Sequence, residues 1–300
     1  MKMKTNRKNT IWLWAFLACI SLTLASCDHN VHQDEPEGLS IAIAWQDASD
    51  ATTISNIHLW IYNSADGSLV TEKQYDNTRS LAGERFPLSA GEYKVVTMVN
   101  MKTPFTLSGT DNYNDMLLAL SDPSASPEHA FYGIADATVS KNNAVTLVTD
   151  SLRRALSELS ITINNVPATS SMEGKVTNAA DGIYPCIRNT ENTYGVAGNT
   201  ATEVTLPATT AQETTLQTAT LRLMPTVSGQ SNSRITLRIT TQEGKVSDFE
   251  IEAPTMKPGG KYQITLDYET MQPFMQLSSC IINPWTEGWT YNQEILNPEK

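Results

Sequence analysis

Positive charge is scarce in this chain of 300 residues, which has 21 lysines and arginines against 32 aspartates and glutamates and a net charge of −11. The first 26 residues hold four of the basic residues and no acidic ones, which leaves 17 basic against 32 acidic residues, or −15, for the remainder. Such a surface repels phosphate backbones, and no later lysine and arginine cluster offsets it. Nucleic acid is therefore excluded as an expected partner.

Histidine is also sparse, and catalytic motifs are lacking. The four histidines are His29, His32, His58 and His129. Their spacing is typical of neither a metal site nor a catalytic triad, and the chain has no G-x-S-x-G elbow, H-E-x-x-H helix or phosphate-binding loop. Residues 111–115 carry calcium-type oxygen ligands, yet Tyr113 breaks the EF-hand spacing, so we interpret them as a helix cap. We expect no enzyme activity, no cofactor and no metal site.

Only one apolar run of any length is present, and it lies at the start. Four basic residues precede it: Lys2, Lys4, Arg7 and Lys8. Residues 11–24 are too few for a spanning helix, which needs about 20 apolar residues, and Ser21 and Thr23 interrupt them. A box of small residues follows, formed by Leu24, Ala25 and Ser26. This order is typical of a bacterial lipoprotein signal peptide over residues 1–26, with Cys27 as the lipidated residue.

The segment behind Cys27 is polar. Residues 27–38 include Asp34, Glu35 and Glu37 and have no apolar pattern, which predicts a flexible acidic tether. Acidic residues at this place resemble a surface-export signal of some anaerobic Gram-negative bacteria, although a plain solvated linker is the alternative. We expect a chain anchored in the outer membrane through acyl chains such as palmitate and exposed at the cell surface.

Few cysteines remain once the signal peptide is removed. Cys19 leaves with it and Cys27 takes lipid, so Cys186 and Cys280 are the remaining thiols. An exported compartment permits a disulfide between them, and two buried free cysteines are the alternative.

Apolar residues alternate with polar ones from residue 39 onward. Ile57, Leu59 and Ile61 are one example, and Leu159 and Ile161 belong to another. The pattern predicts an all-β fold of two tandem antiparallel β-sandwich domains, residues 39–152 and residues 153–300. One short helix is predicted over residues 112–120.

Two features have more than one interpretation. Four tryptophans are candidate platforms for a glycan: Trp45, Trp60, Trp285 and Trp289. Core packing is the alternative, most clearly for Trp45, which is in phase with the apolar face of its strand. Ser151 lies in an acidic-Ser-apolar triplet that matches a short bacterial O-glycosylation pattern, or else is part of a polar link between the halves.

Several segments together resemble one known family. They are the lipobox and residues 39–45, 57–63 with the turn at 66–67, 88–96, 156–163 and 281–285 with Gly288. These segments are similar to the fimbrial anchor-subunit and fimbrillin-like lipoproteins of type V fimbriae. The resemblance implies transthyretin-like sandwiches, a structural role, and assembly with a fimbrial stalk subunit by β-strand addition.

The resemblance also suggests which subunit type this is. Stalk subunits of that family lose their first strand to a protease that cuts after arginine, whereas this chain has no arginine between Cys27 and Thr78. We therefore expect a fimbrial anchor or accessory subunit, whose C-terminal residues 291–300 are the candidate to reach a neighbour. A carbohydrate-binding surface lipoprotein is the alternative.

Overall fold

The computed structural model describes residues 38–46, 52–141, 144–149, 152–189, 194–277, 281–282 and 288–292. The signal peptide, Cys27, the tether up to residue 37, Ser151, Cys280 and Trp285 lie outside these residues. The described chain is built almost entirely of β-strands, so the predicted all-β fold with one short helix is confirmed. Within the described residues no helix is long and apolar enough to cross a membrane.

The N-terminal half contributes ten strands to three sheets. They are β1 (Gly38–Ala42), β2 (Ile57–Asn63), β3 (Leu69–Tyr75), β4 (Phe86–Pro87), β5 (Gly91–Val99), β6 (Phe105–Ser108), β7 (Leu117–Leu120), β8 (Phe131–Val139), β9 (Ala144–Val148) and β10 (Arg153–Arg154). A small sheet has the order β4-β1-β9, and a five-stranded sheet has the order β10-β8-β5-β2-β3.

The C-terminal half adds fourteen strands. They are β11 (Ser157–Asn164), β12 (Ser171–Ala180), β13 (Gly182–Tyr184), β14 (Val196–Ala197), β15 (Ala201–Thr205), β16 (Thr209–Thr210), β17 (Leu216–Gln217), β18 (Leu221–Leu223), β19 (Asn232–Thr240), β20 (Val246–Pro254), β21 (Lys261–Asp267), β22 (Phe274–Gln276), β23 (Ile281–Ile282) and β24 (Gly288–Asn292). One sheet runs β17-β11-β21-β24-β23 with β18 beside β11, and another runs β15-β12-β19-β20-β22 with β16 beside β12.

A fifth sheet joins the halves. The sheet β14-β13-β7-β6 takes two strands from each half, because β7 pairs with β13. It covers one face of the five-stranded sheet, and the small sheet that contains β1 covers the other. β2 is therefore buried on both faces, as its sequence predicts: Leu59 packs in one core and Trp60 in the other. The boundary near residue 152 stays a prediction.

The C-terminal sandwich has its own core, and its strands follow the period-two rule closely. In β11 every second residue is buried, among them Leu159, Ile161 and Ile163. Three of the five sheets in the described residues are mixed, since β1 pairs with β9, β11 and β24 with β21, and β20 with β22, in parallel. The prediction of purely antiparallel sandwiches is therefore wrong for these three sheets, because alternation sets which face a strand buries but not the direction of its partner.

The predicted helix over residues 112–120 is wrong. These residues form a turn that leads into β7, and Met116, Leu118 and Leu120 are buried at the period of a strand. The Asn112 side chain accepts the Asn114 backbone N–H within the turn instead of capping a helix. Pairing with β6 and β13 therefore overrides the local helical pattern.

The α-helix of the described residues, α1, lies at Thr78–Ala82 between β3 and β4. Asn77 is its N-cap, and its side chain accepts a hydrogen bond from the Ser80 backbone N–H. Leu81 is the residue that α1 buries against the core beside β1. One turn of helix has too few residues for a periodic pattern to be recognised in sequence.

Candidate functional site

The first strand of the fold is built into the middle of a sheet. β1 lies between β4, to which it is antiparallel, and β9, to which it is parallel from Gly38 to Ala42. Leu39 and Ile41 are almost fully buried and belong to the same core as β2 and β5. The segment that follows the predicted lipid tether is therefore an integral part of the sandwich.

Residues behind β1 continue the attachment. The Thr149 backbone N–H and hydroxyl both donate to the Ala42 carbonyl, at 2.7 and 2.8 Å. Further along, Leu152 donates to the Ala44 carbonyl at 2.8 Å and accepts from the Gln46 N–H at 3.1 Å. The chain from residue 38 to residue 46 thus pairs with residues 144–149 and with Leu152, and backbone hydrogen bonds hold it at both ends.

A glycine allows the close approach of β4. A Cβ added to Gly38 would meet the Phe86 carbonyl oxygen at 2.1 Å, far inside van der Waals contact. Only glycine lets the backbones of β1 and β4 pair at this point. The first position of β1, directly behind the predicted tether, therefore requires a glycine.

The two halves share an apolar core. Trp60, Val96 and Ile134 from the N-terminal five-stranded sheet pack in one cluster with Leu156 and Ile183 from the C-terminal half. The cluster also includes Met224 and Val227, so it is formed as much by one half as by the other. Relative movement of the halves would expose this core.

A charged cluster borders the shared core on one side. Asp136 of β8 accepts hydrogen bonds from Lys94 of β5, from Arg188 at 2.6 Å and from the Tyr194 hydroxyl at 3.1 Å. Arg188 and Lys94 also lie over the Tyr194 ring, 4.6 and 5.4 Å from its centroid. Although burial alone would raise the pKa of Asp136, the hydrogen bond from Lys94 holds it below its usual range. The cluster links β5 and β8 to the C-terminal half.

A second polar cluster joins the halves through His129. Its Nε2 lies 2.7 Å from Glu158 Oε1 and 3.2 Å from the Nε of Arg222. Arg222 also donates to Glu158 and to the Pro127 carbonyl, at 3.3 Å each. The hydrogen bond from His129, together with the nearby positive charges, lowers the pKa of Glu158 to about 2. Sequence reasoning missed both clusters, because their members lie tens of residues apart and share no motif.

The structure describes the side chains of two of the four tryptophan candidates, Trp45 and Trp60, and both pack in or against an apolar core. Trp60 is buried in the shared core, so it cannot present a ring to a glycan. Trp45 packs edge-on against Phe131, with the ring centroids 4.9 Å apart, as its phase in the sequence suggests. The backbone of Trp289 lies in β24 and pairs with Tyr262.

The remaining site predictions stay predictions. Cys186 is buried, its Sγ lies 4.0 Å from the Met116 sulfur, and burial raises the pKa of its thiol to about 12. Cys280 lies outside the described residues, so their pairing remains open. The same holds for lipidation at Cys27 and modification of Ser151. Among the described residues no group of three or more metal-ligating side chains converges.

These features define a class: a β-sandwich protein whose two halves share a core and whose first described strand lies in the middle of a sheet. The profile of one family, described as fimbrillin-A associated anchor proteins Mfa1 and Mfa2, matches residues 32–291. The chain belongs to this family of fimbrial anchor proteins. The comparison with curated proteins finds no match.

Solved structures share the fold at low sequence identity. A proposed cell adhesion protein from Parabacteroides distasonis has a TM-score of 0.56 and 12% identity, and the match covers 80% of this chain and 94% of that one. A proposed adhesin from Bacteroides thetaiotaomicron has a TM-score of 0.51 and 14% identity, with 70% and 78% covered. The fimbrial anchor protein Mfa2 from Porphyromonas gingivalis has a TM-score of 0.50 and 12% identity, with 71% and 80% covered.

Proposed function

We propose that this chain is a non-enzymatic lipoprotein of the outer membrane surface that anchors a fimbria, with lipid on Cys27 and a stalk subunit as its partner. The family match over residues 32–291 carries the proposal. The position of β1 supports it, because the strand nearest the lipid is buried in the fold. A load on the folded part would pass through β1 and the tether to the membrane.

The geometry of the tether suits this role. Cys27 precedes Gly38 by eleven residues, so the tether reaches at most about 40 Å when fully extended. Force along the tether would load the backbone hydrogen bonds between β1 and β9 together in shear rather than break them one by one, since the two strands are parallel. Strand, tether and lipid then act as one mechanical unit.

Retention of the first strand is consistent with an anchor. The first arginine behind Cys27 is Arg79, which is exposed on α1. A cut there would lie beyond β2, which sits between β5 and β3 in the five-stranded sheet. Such a cut could not release β1 as a separate strand.

The first experiment tests the lipid. A Cys27→Ala variant should lose incorporation of labelled palmitate and move from the membrane fraction to the soluble fraction, while a Cys186→Ala variant should keep both. The fimbriae of Cys27→Ala cells should be shed into the medium. Wild-type membrane attachment in the Cys27→Ala variant would contradict the proposal.

The second experiment tests strand addition. The first two residues of the predicted C-terminal segment 291–300, Tyr291 and Asn292, already belong to β24. We therefore propose residues 293–300 as the segment that adds to a stalk subunit. Their deletion should abolish co-purification of the stalk subunit and leave palmitate labelling unchanged. Unaltered co-purification would rule out this segment, though not the lipid anchor.

A further inference from the structure

An open groove lies on the outer face of the sheet formed by β15, β12, β19, β20 and β22. Its volume is about 870 Å³, in the range of ligand sites. It is bounded by Thr205 near β15 at one end and by Pro273 before β22 at the other. We call it the outer groove.

Strand register sets side chains in two rows across the sheet, and all of them line the outer groove except Phe274, which follows Pro273 at its edge. The first row is Lys175, Thr236, Glu250 and Phe274. The second row is Glu173, Arg238 and Asp248. Paired residues share a face, so both rows project outward, and strand spacing makes the first row roughly 14 Å long.

Charge of opposite sign alternates along both rows. Lys175 is separated from Glu250 by the hydroxyl of Thr236, and Arg238 stands between two carboxylates. The cations are already engaged: Lys175 with Glu203 at 2.9 Å and Arg238 with Asp248 at 2.7 Å. A polyanion would meet the carboxylates and a polycation would meet the cations, so the lining suits neither.

An exposed aromatic ring ends the first row. Phe274 is 55% exposed, which is unusual for this residue type. It lies next to Glu250 on the same face, immediately behind Pro273 of the groove. A flat apolar ring beside carboxylate, hydroxyl and ammonium groups can stack on a ligand whose edges both donate and accept hydrogen bonds.

We propose that the outer groove binds a neutral oligosaccharide, with Phe274 as the stacking platform and with Thr236 and Glu250 as hydrogen-bond partners of its hydroxyls. A hydroxyl donates and accepts at once, so a polyhydroxylated neutral chain satisfies alternating donors and acceptors without charge repulsion. The groove is open, which suits a chain that lies across the strands. This inference does not depend on the anchoring role, since the groove lies far in sequence from Cys27 and β1.

The test uses the full-length chain, purified in a detergent that contains no sugar. Calorimetric titration with cellohexaose, maltohexaose, mannohexaose and xylohexaose should show binding of at least one, with little dependence on salt because the ligand is neutral. Phe274→Ala should weaken that binding by about tenfold or more. Glu250→Gln should weaken it in the same direction.

Val70→Ala is the matched control, since Val70 is an apolar residue 44% exposed on β3, in a different sheet. It should bind like the wild type. Heparin and polylysine serve as charged probes and should not compete. The proposal is overturned if none of the hexasaccharides binds, if Phe274→Ala binds them as well as the wild type, or if polylysine binds in a salt-dependent way that Glu250→Gln removes.

Discussion

Glu158 is a carboxylate that holds the two halves of the molecule together. It projects from β11 of the C-terminal half, and its Oε1 contacts His129 of the N-terminal half and Arg222. Only 17% of its side chain is exposed. A largely buried carboxylate is tolerated here because His129 and Arg222 satisfy its hydrogen bonds.

The pKa of Glu158 gives a prediction about pH. This pKa falls from 4.5 to about 2, so the ionised form of Glu158 is favoured in the folded protein. The contribution of Glu158 to the free energy of unfolding is therefore complete above pH 4.5 and is lost as the pH falls toward about 2. Glu158→Gln should lower the free energy of unfolding at pH 7 by about 2 kcal/mol, the size of a charge-assisted hydrogen bond. The difference from the wild type should shrink on acidification. Denaturant unfolding at a series of pH values measures it.

A matched control for Glu158 is available on the surface. Glu203 pairs with Lys175, yet its side chain is 60% exposed, so Glu203→Gln should change stability by less than about 0.5 kcal/mol at any pH. Equal effects of the two substitutions would mean that Glu158 does not link the halves. A difference that grows on acidification would contradict the lowered pKa.

Residue-scale features differ in how far the sequence predicts them. The core position of Trp45 follows from its phase in an alternating strand. The partners of His129 and Asp136 cannot be predicted from the sequence, because an ion pair depends on two positions that only the folded topology brings together. The sequence allows Cys186 to form a disulfide with Cys280 or to be a buried free cysteine, and its burial is consistent with either.

At the scale of elements, β1 is the strand that directly follows the predicted tether. It contributes two buried side chains, Leu39 and Ile41, to a core that includes β2 and β5. Its backbone pairs on both edges. Strand length is only five residues, so its retention depends on these side chains as much as on the ladder.

Leu39→Ala should reveal the contribution of β1. The substitution leaves a cavity at a fully buried site and should lower the free energy of unfolding by about 2–4 kcal/mol. Ser40→Ala, on the opposite face of the same strand, should cost less than about 0.5 kcal/mol. Chemical denaturation measures both. If Leu39→Ala were as mild as Ser40→Ala, β1 would not be held in the core.

Elements with a single dominant signal are the ones that sequence predicts well. Alternation identifies β2 and β11 and their buried faces, and the Asp66-Gly67 pair predicts the turn between β2 and β3, where Gly67 has φ of +78°. Residues 112–120 carry a helical spacing and a strand spacing at once, and pairing with β6 and β13 decides between them. Parallel partners such as β11 and β21 are about a hundred residues apart, beyond any local signal.

At the scale of the whole molecule, the two halves on either side of the predicted boundary are connected by packing and by strand pairing. Residues 39–152 and 153–300 each contain a core of their own, yet they share a third, and the sheet β14-β13-β7-β6 takes strands from both. An anchor under load benefits from this arrangement, because a pull at β1 is resisted by the shared core as well as by the N-terminal sandwich. The halves should therefore unfold together.

Ile235→Ala tests that cooperativity. Ile235 is fully buried in the C-terminal core alone, and its truncation should cost about 2–4 kcal/mol. If the halves unfold as one unit, the slowest-exchanging amides of β5, in the N-terminal half, should lose the same free energy of protection as those of β19, because both exchange only through global unfolding. Thr240→Ala, at a partly exposed position of the same strand, should change neither set. Native-state hydrogen exchange measures both sets in one experiment, and unchanged protection in β5 beside a loss in β19 would show that the halves unfold independently.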